Sequence, residues 1–226
     1  MKKQLLILAF LSLAGLAVGC GAENSGTVEV RTKQEGGGSA LIARSWSATP
    51  IAFYISSTVP DEFVQPILDS FSVWEEAAGK SLFVYMGRSD STIQRNGDGS
   101  WENFDGKNIV YWDDQPSVHG YLGETFYSVN GNRQMNEADI VLYGDPADYA
   151  ALDCKEGASC HSHANKFDVT TTSLHEIGHF LGLDHTTDEG SIMNPDFGEN
   201  DVIHDIDASL TAEIQLAYNP TNVASN

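Results

Sequence analysis

His175-Glu176-Ile177-Gly178-His179-Phe180-Leu181-Gly182-Leu183-Asp184-His185 is the stretch from which the rest of the chain can be read. Its fixed positions follow the pattern H-E-x-x-H-x-x-G-x-x-H, which a chain of this length meets by chance roughly once in 10^5. Residues four apart on an α-helix differ by about 40° in azimuth and about 6 Å in rise, so His175 and His179 face the same way. Two imidazoles so placed can share a zinc ion at about 2.0–2.1 Å. Glu176 lies about 100° round the helix, too far to be the third ligand yet near enough to reach water at the metal. Gly182 lets the helix stop and turn back, since glycine tolerates left-handed backbone. His185 then arrives as the third ligand and leaves a fourth position for water, the arrangement of a catalytic zinc. Glu176 is the expected general base for hydrolysis there. The bland alternative is a helix whose histidines bind nothing.

Eight residues beyond His185 comes Ser191-Ile192-Met193-Asn194-Pro195. Together with the histidine pattern this closely resembles the matrixin branch of the metzincin zinc peptidases. The resemblance implies that Met193 sits in a tight turn as an apolar floor beneath the imidazoles. It also implies that Pro195 and Phe197 form one wall of a substrate pocket. Weaker likenesses lie upstream, in Phe167-Asp168-Val169, in Trp74 and in Gly120-Tyr121-Leu122-Gly123. In that family the last of these opens an edge strand that aligns substrate, so Leu122 and Gly123 are expected to bind it. An exposed strand edge offers unpaired backbone groups for this purpose. The fold implied is a mixed α/β (α+β) catalytic domain: a twisted, mostly parallel five-stranded sheet with an antiparallel edge strand and three helices. The family's cysteine-bearing prodomain and its second, structural zinc are not evident. Glu124 stands where one of that second zinc's ligands would fall. His119, His161, His163 and His204 stay unassigned; His161 and His163 are either a second metal's ligands or solvated loop residues.

The first residues read as an export signal. Lys2 and Lys3 precede an apolar run from Leu5 to Val18, and Leu16-Ala17-Val18-Gly19-Cys20 resembles a bacterial lipobox. Residues 1–19 are then a signal peptide, and Cys20 becomes a lipidated N-terminus. Ordinary secretory cleavage is the other reading. The chain has 3 cysteines, so lipidating Cys20 leaves Cys154 and Cys160 to pair as a small-loop disulfide in an oxidising compartment. A metal site at that pair is the rival. Residues 20–45, Gly-rich at Gly36-Gly37-Gly38, read as a flexible tether, and 46–222 as one peptidase domain.

Within that domain, strands are expected at 51–55, 82–86, 108–112, 122–129 and 138–143. Val64, Ile67, Leu68, Phe71, Trp74 and Ala78 recur at helical spacing over 61–78, with Gly79 as a stop. Pro66 fits that helix only where the first regular turn starts near it. Two more helices are expected near 168–181 and 210–218. Parallel or antiparallel order is not readable.

The 226-residue chain carries a net charge of −20 and 41% hydrophobic residues. That is enough for one sizeable core, and it disfavours nucleic acid or an anionic membrane surface as partner. Membrane association is expected only through the lipid anchor, and the protein is expected to be an exported monomer, either secreted or held at the cell envelope, acting on protein or peptide substrates. One catalytic zinc is the expected cofactor. Calcium is a further candidate, because Asp98, Asp105, Asp113, Asp114, Asp145 and Asp148 fall in or beside loops, although their spacing matches no EF-hand and solvated acids are the commoner case. Two other functions remain open: a catalytically silent zinc scaffold that binds partners, and a zinc hydrolase of a non-peptide bond.

Overall fold

The computed structural model describes residues 21–24, 42–91, 93–95, 101–102, 104–117, 119–152 and 165–219. Cys20, Asp98, Cys154, Cys160, His161 and His163 lie outside the described residues. The elements run β1 Gly21–Asn24, β2 Ser45–Trp46, β3 Ile51–Ser56, α1 Asp61–Ala78, β4 Phe83–Ser89, β5 Gln94–Arg95, β6 Trp101–Glu102, β7 Ile109–Asp113, β8 Gly123–Val129, β9 Gln134–Tyr143, β10 Tyr149–Ala150, β11 Phe167–Asp168, α2 Val169–Phe180 and α3 Ala208–Tyr218. Five longer strands form the body of the main sheet in the order β8-β9-β7-β3-β4. Neighbours are parallel except β8, which runs antiparallel to β9. This is the mixed, mostly parallel architecture that the resemblance implies, with strand order that the residue pattern alone does not give. No helix among the described residues is long and apolar enough to cross a membrane.

Two short strands add to this sheet. Ser45 and Trp46 pair with Gln134 and Met135 of β9. Gly21–Asn24, within the stretch expected as a tether, pair in parallel with Glu124–Tyr127 on the outer side of β8. The helices cover one face of the sheet. There Phe53, Phe63, Phe71, Trp74, Ile140, Leu142, Leu174 and Ile177 make one buried apolar cluster. A smaller cluster on the other face holds Ile93, Ile109, Phe126, Val141 and Tyr143. Alternation along β9 explains the split, since Ile140 and Leu142 point one way and Val141 and Tyr143 the other.

Helix α1 differs from expectation at Pro66. The helix begins at Asp61, so the proline sits inside it. The missing N–H would have served the carbonyl of Glu62, an exposed residue whose carbonyl can turn to water. The buried stripe is Phe63, Ile67, Ser70, Phe71, Trp74 and Ala78, with Gly79 closing the helix at φ 63°. Val64 and Leu68 flank that stripe and are only partly buried. Trp74 ties α1 to α2, its indole N–H donating to Leu174 O at 2.9 Å.

Candidate metal centre

Helix α2 starts on a buried cap. The Asp168 carboxylate accepts from Thr171 N at 2.8 Å, from Thr171 Oγ1 at 2.7 Å and from Leu152 N at 2.8 Å. His204 Nε2 adds a contact at 2.6 Å to the same carboxylate, which joins the loop before α3 to the start of α2. Such a cap satisfies helix N–H groups that otherwise lack partners.

The far end of α2 closes in a Schellman motif: Leu183 N donates to Gly178 O at 3.0 Å and Gly182 N to His179 O at 2.8 Å. Gly182 adopts φ +96°, and a Cβ there would lie 2.0 Å from Arg44 O. Two constraints therefore coincide, a left-handed backbone and a chain packed against it. The Ala43 N–H donates to Gly182 O at 3.0 Å, and Ile42 bridges to Leu183. Gly182→Ala is expected to cost at least about 2 kcal/mol from backbone strain alone, with the Arg44 clash in addition. Urea denaturation of the metal-free protein measures this, and an unchanged midpoint would contradict the steric account.

The bend brings the three histidines together. His175 Nε2 lies 3.2 Å from His185 Nε2 and 3.1 Å from His179 Nε2, and the His179–His185 separation is 3.0 Å. Backbone carbonyls hold the two helical rings from behind. His175 Nδ1 lies 2.7 Å from Ile192 O, and His179 Nδ1 lies 2.8 Å from Leu183 O. Since a carbonyl only accepts, each Nδ1 carries the proton and each Nε2 presents a lone pair toward the cluster. Burial, then the neighbouring His185, lowers the His175 imidazole to about 3. The same causes, with His175 added, hold His179 well below its ordinary value. Both rings are thus neutral at physiological pH, the form in which an imidazole can bind a metal.

These donors fit zinc. Tetrahedral bonds of about 2.0–2.1 Å require ligand atoms about 3.3–3.4 Å apart, close to the 3.0–3.2 Å found. The lone pairs of His175 and His179 converge with their Nε2 atoms 3.1 Å apart, and a cation between them would offset their repulsion. Among the described residues, this trio is the one group of three or more His, Cys, Asp or Glu able to hold a metal ion. The described acidic loop residues shape turns. Asp105 accepts from Lys107 N, Asp113 from Gln115 N and Asp145 from Ala147 N. Asp114 accepts from the Gln115 side chain, and Asp148 lies exposed in the short turn after Asp145.

The residues downstream are brought to the same place. Met193 is wholly buried, and its Sδ would lie 2.2 Å from a Cβ on Gly178, so the glycine, which lies between His175 and His179 in the sequence, admits the methionine against α2. Thr186 N donates to Met193 O at 3.0 Å, tying this turn to the residue after His185. Ser191 Oγ donates to Asp207 of the α3 cap at 2.8 Å. The Phe197 ring lies 5.4 Å from the His175 ring, and Pro195 is half-buried just before it. Asp184 pairs with Arg44 at 2.7 Å, and the Arg44 guanidinium stands 4.3 Å over the Tyr127 ring. His119 is exposed beside Tyr121.

Glu176 is fully buried against β8. Thr125 Oγ1 lies 2.7 Å from Glu176 Oε2 and 3.0 Å from Glu176 O. A Cβ on Gly123 would fall 2.7 Å from Glu176 Oε1. Leu122 is buried, and its carbonyl accepts from Tyr143 N at 2.9 Å, which leaves that oxygen engaged within the sheet. Reasoning from sequence missed Thr125, Arg44 and the carbonyls of Leu183 and Ile192. For Thr125 the signal was the period-two face it shares with Gly123; for the carbonyls there was none.

The family model described as Matrixin matches residues 45–219. A search of curated proteins gave no match. Among solved structures the chain is similar to metalloproteinase-II from Bacteroides fragilis, with 13% identity, a TM-score of 0.46 and alignment over 77% of this chain. The chain spans 55% of that structure's length.

Proposed function

Because the chain belongs to the matrixin family of metallopeptidases, we propose that it is an exported zinc endopeptidase in which Glu176 is the general base. The observation that carries this reading is the convergence of three Nε2 atoms within 3.2 Å of one another, two of them on the helix that also carries the buried Glu176. His175, His179 and His185 hold the ion. When bound, zinc supplies Lewis acidity, bringing the pKa of water toward about 7 and stabilising charge on the peptide carbonyl. Glu176 takes the proton that the attacking water gives up and returns it to the leaving amine nitrogen as the C–N bond breaks. Water is thus divided between the two products, OH to the acyl carbon and H to the amine.

Phe197, against the His175 ring, together with Pro195 supports a wall for a substrate side chain. Gly123 sits where β8 meets Glu176, which supports alignment of an extended peptide along that strand. Such a peptide would displace Gly21–Asn24 wherever it reaches Glu124–Tyr127, since both need the same backbone groups. The apolar run of residues 5–18 and the Cys20 that follows support export with a lipid-modified N-terminus.

The test is cleavage of a denatured proteome by the protein recovered from a cell-envelope fraction, with its N-terminus read by mass spectrometry. Expected are new peptide termini that vanish with chelator and return with zinc, and an acylated Cys20. Chelator-insensitive cleavage would overturn the metal mechanism. Recovery in the cytosol with residues 1–19 attached would overturn export.

A further inference from the structure

We propose that Thr125 is a positioning residue for Glu176: its hydroxyl fixes one carboxylate oxygen while Gly123 leaves room for the other. The inference rests on the endopeptidase reading and extends it to β8. Thr125 and Gly123 are two apart on that strand, so both face α2. The Thr125 side chain is wholly buried. A buried hydroxyl costs stability unless it is hydrogen-bonded, and valine would suit a strand as well. The hydroxyl is therefore explained by its partner rather than by the fold.

It has one proton and two acceptors within reach, Oε2 of Glu176 at 2.7 Å and the Glu176 carbonyl at 3.0 Å. The carbonyl already belongs to the helical ladder, whose donor four residues on is Phe180 N. The carboxylate oxygen is the nearer acceptor, at 2.7 Å against 3.0 Å, so it takes the proton. Oε1 is directed at Gly123, where a Cβ would come within 2.7 Å. A glutamate otherwise turns about three side-chain torsions. Here the carboxylate is held between a donor and a notch, and its proton-accepting geometry is set before substrate arrives.

The test compares Thr125→Val, which keeps shape and removes the hydroxyl, with Thr125→Ser, which keeps the hydroxyl. For Thr125→Val, kcat on a cleaved peptide is expected to fall about 10- to 100-fold, with KM and zinc content unchanged. Thr125→Ser is expected to recover most of that loss. A second readout needs no activity. In metal-free protein, Thr125→Val should lower the melting temperature by about 3–6 °C when Glu176 is present and by much less in a Glu176→Ala background. Unchanged kcat in Thr125→Val, an equal loss in Thr125→Ser, or a loss that tracks zinc content would each overturn the proposal. So would additive melting shifts. Should the parent protein cleave no peptide, the endopeptidase reading fails, while the melting series still decides whether the hydroxyl holds the carboxylate.

Discussion

Glu176→Gln is expected to lower kcat about 10²- to 10⁴-fold, the span attributed to a positioned general base, while zinc remains bound. The substitution is nearly isosteric. The amide oxygen can still accept from Thr125 Oγ1, which lies 2.7 Å from the carboxylate in the parent. His175 and His179 keep their backbone contacts to Ile192 and Leu183, and His185 is not touched by the change, so metal affinity has no reason to fall. What is lost is the capacity to take a proton from water. Steady-state kinetics on one defined peptide, with zinc measured on the same preparation, separates these effects. Cleavage at the parent rate would remove Glu176 from the mechanism. A catalytically silent scaffold gives a different result, with zinc bound by both proteins and no cleavage by either.

The zinc motif was legible because its spacing encodes geometry within one helix and one bend. His175 and His179 lie on one helical face whatever surrounds them, and Gly182 marked the turn, which the structure gives as φ +96°. The strands beside the core were legible from their apolar runs, but their ends were less so. β9 starts at Gln134 rather than near 138, because polar Gln134 and Asn136 in its first turn of pairing carry no apolar signal. β4 runs on to Ser89, and its Val84, Tyr85 and Met86 are 41, 37 and 50% exposed. An edge strand with apolar residues in water shows no alternation to read. The Val64 and Leu68 pair drew the helix stripe one step off its true centre at Phe63 and Ser70, since hydrophobicity alone does not rank neighbours on a wide face.

What joins distant segments was not legible. Thr125 and Glu176 are 51 positions apart, and Asp168 and His204 are 36 apart. Each contact depends on sheet order, which apolar patterning does not fix. The groups that set the histidine tautomers are carbonyls, and every residue has one. Their placement follows from the Schellman closure and the Met193 turn. The outer part of the site is thus built by backbone conformation, and sequence records it only through Gly178 and Gly182.

His185→Ala should separate metal binding from folding. His175 and His179 are buried to within 1% exposure, and His179 also serves the Leu183 carbonyl. Truncating either would leave a cavity and an unpaired buried group, so lost stability and lost metal would be confounded. His185 is only half-buried and stands beyond the bend. Its removal leaves the carbonyl contacts of His175 and His179, the Gly182 closure and the Met193 turn in place. The metal-free melting temperature is expected to stay within about 2 °C of the parent, as for a surface change. The increment on adding zinc is expected to collapse. An ion at a thousand times its dissociation constant contributes about 4 kcal/mol, or about 8–16 °C for a domain of this size. With one of three ligands gone, affinity should fall by more than the roughly 10- to 100-fold that an outer-shell partner is worth, and most of that increment should go with it. Paired melting curves with and without zinc, on parent and variant, give the answer. An undiminished zinc increment in the variant would mean that His185 is not a ligand. A metal-free protein that unfolds far below the parent would mean that its role is to hold the bend.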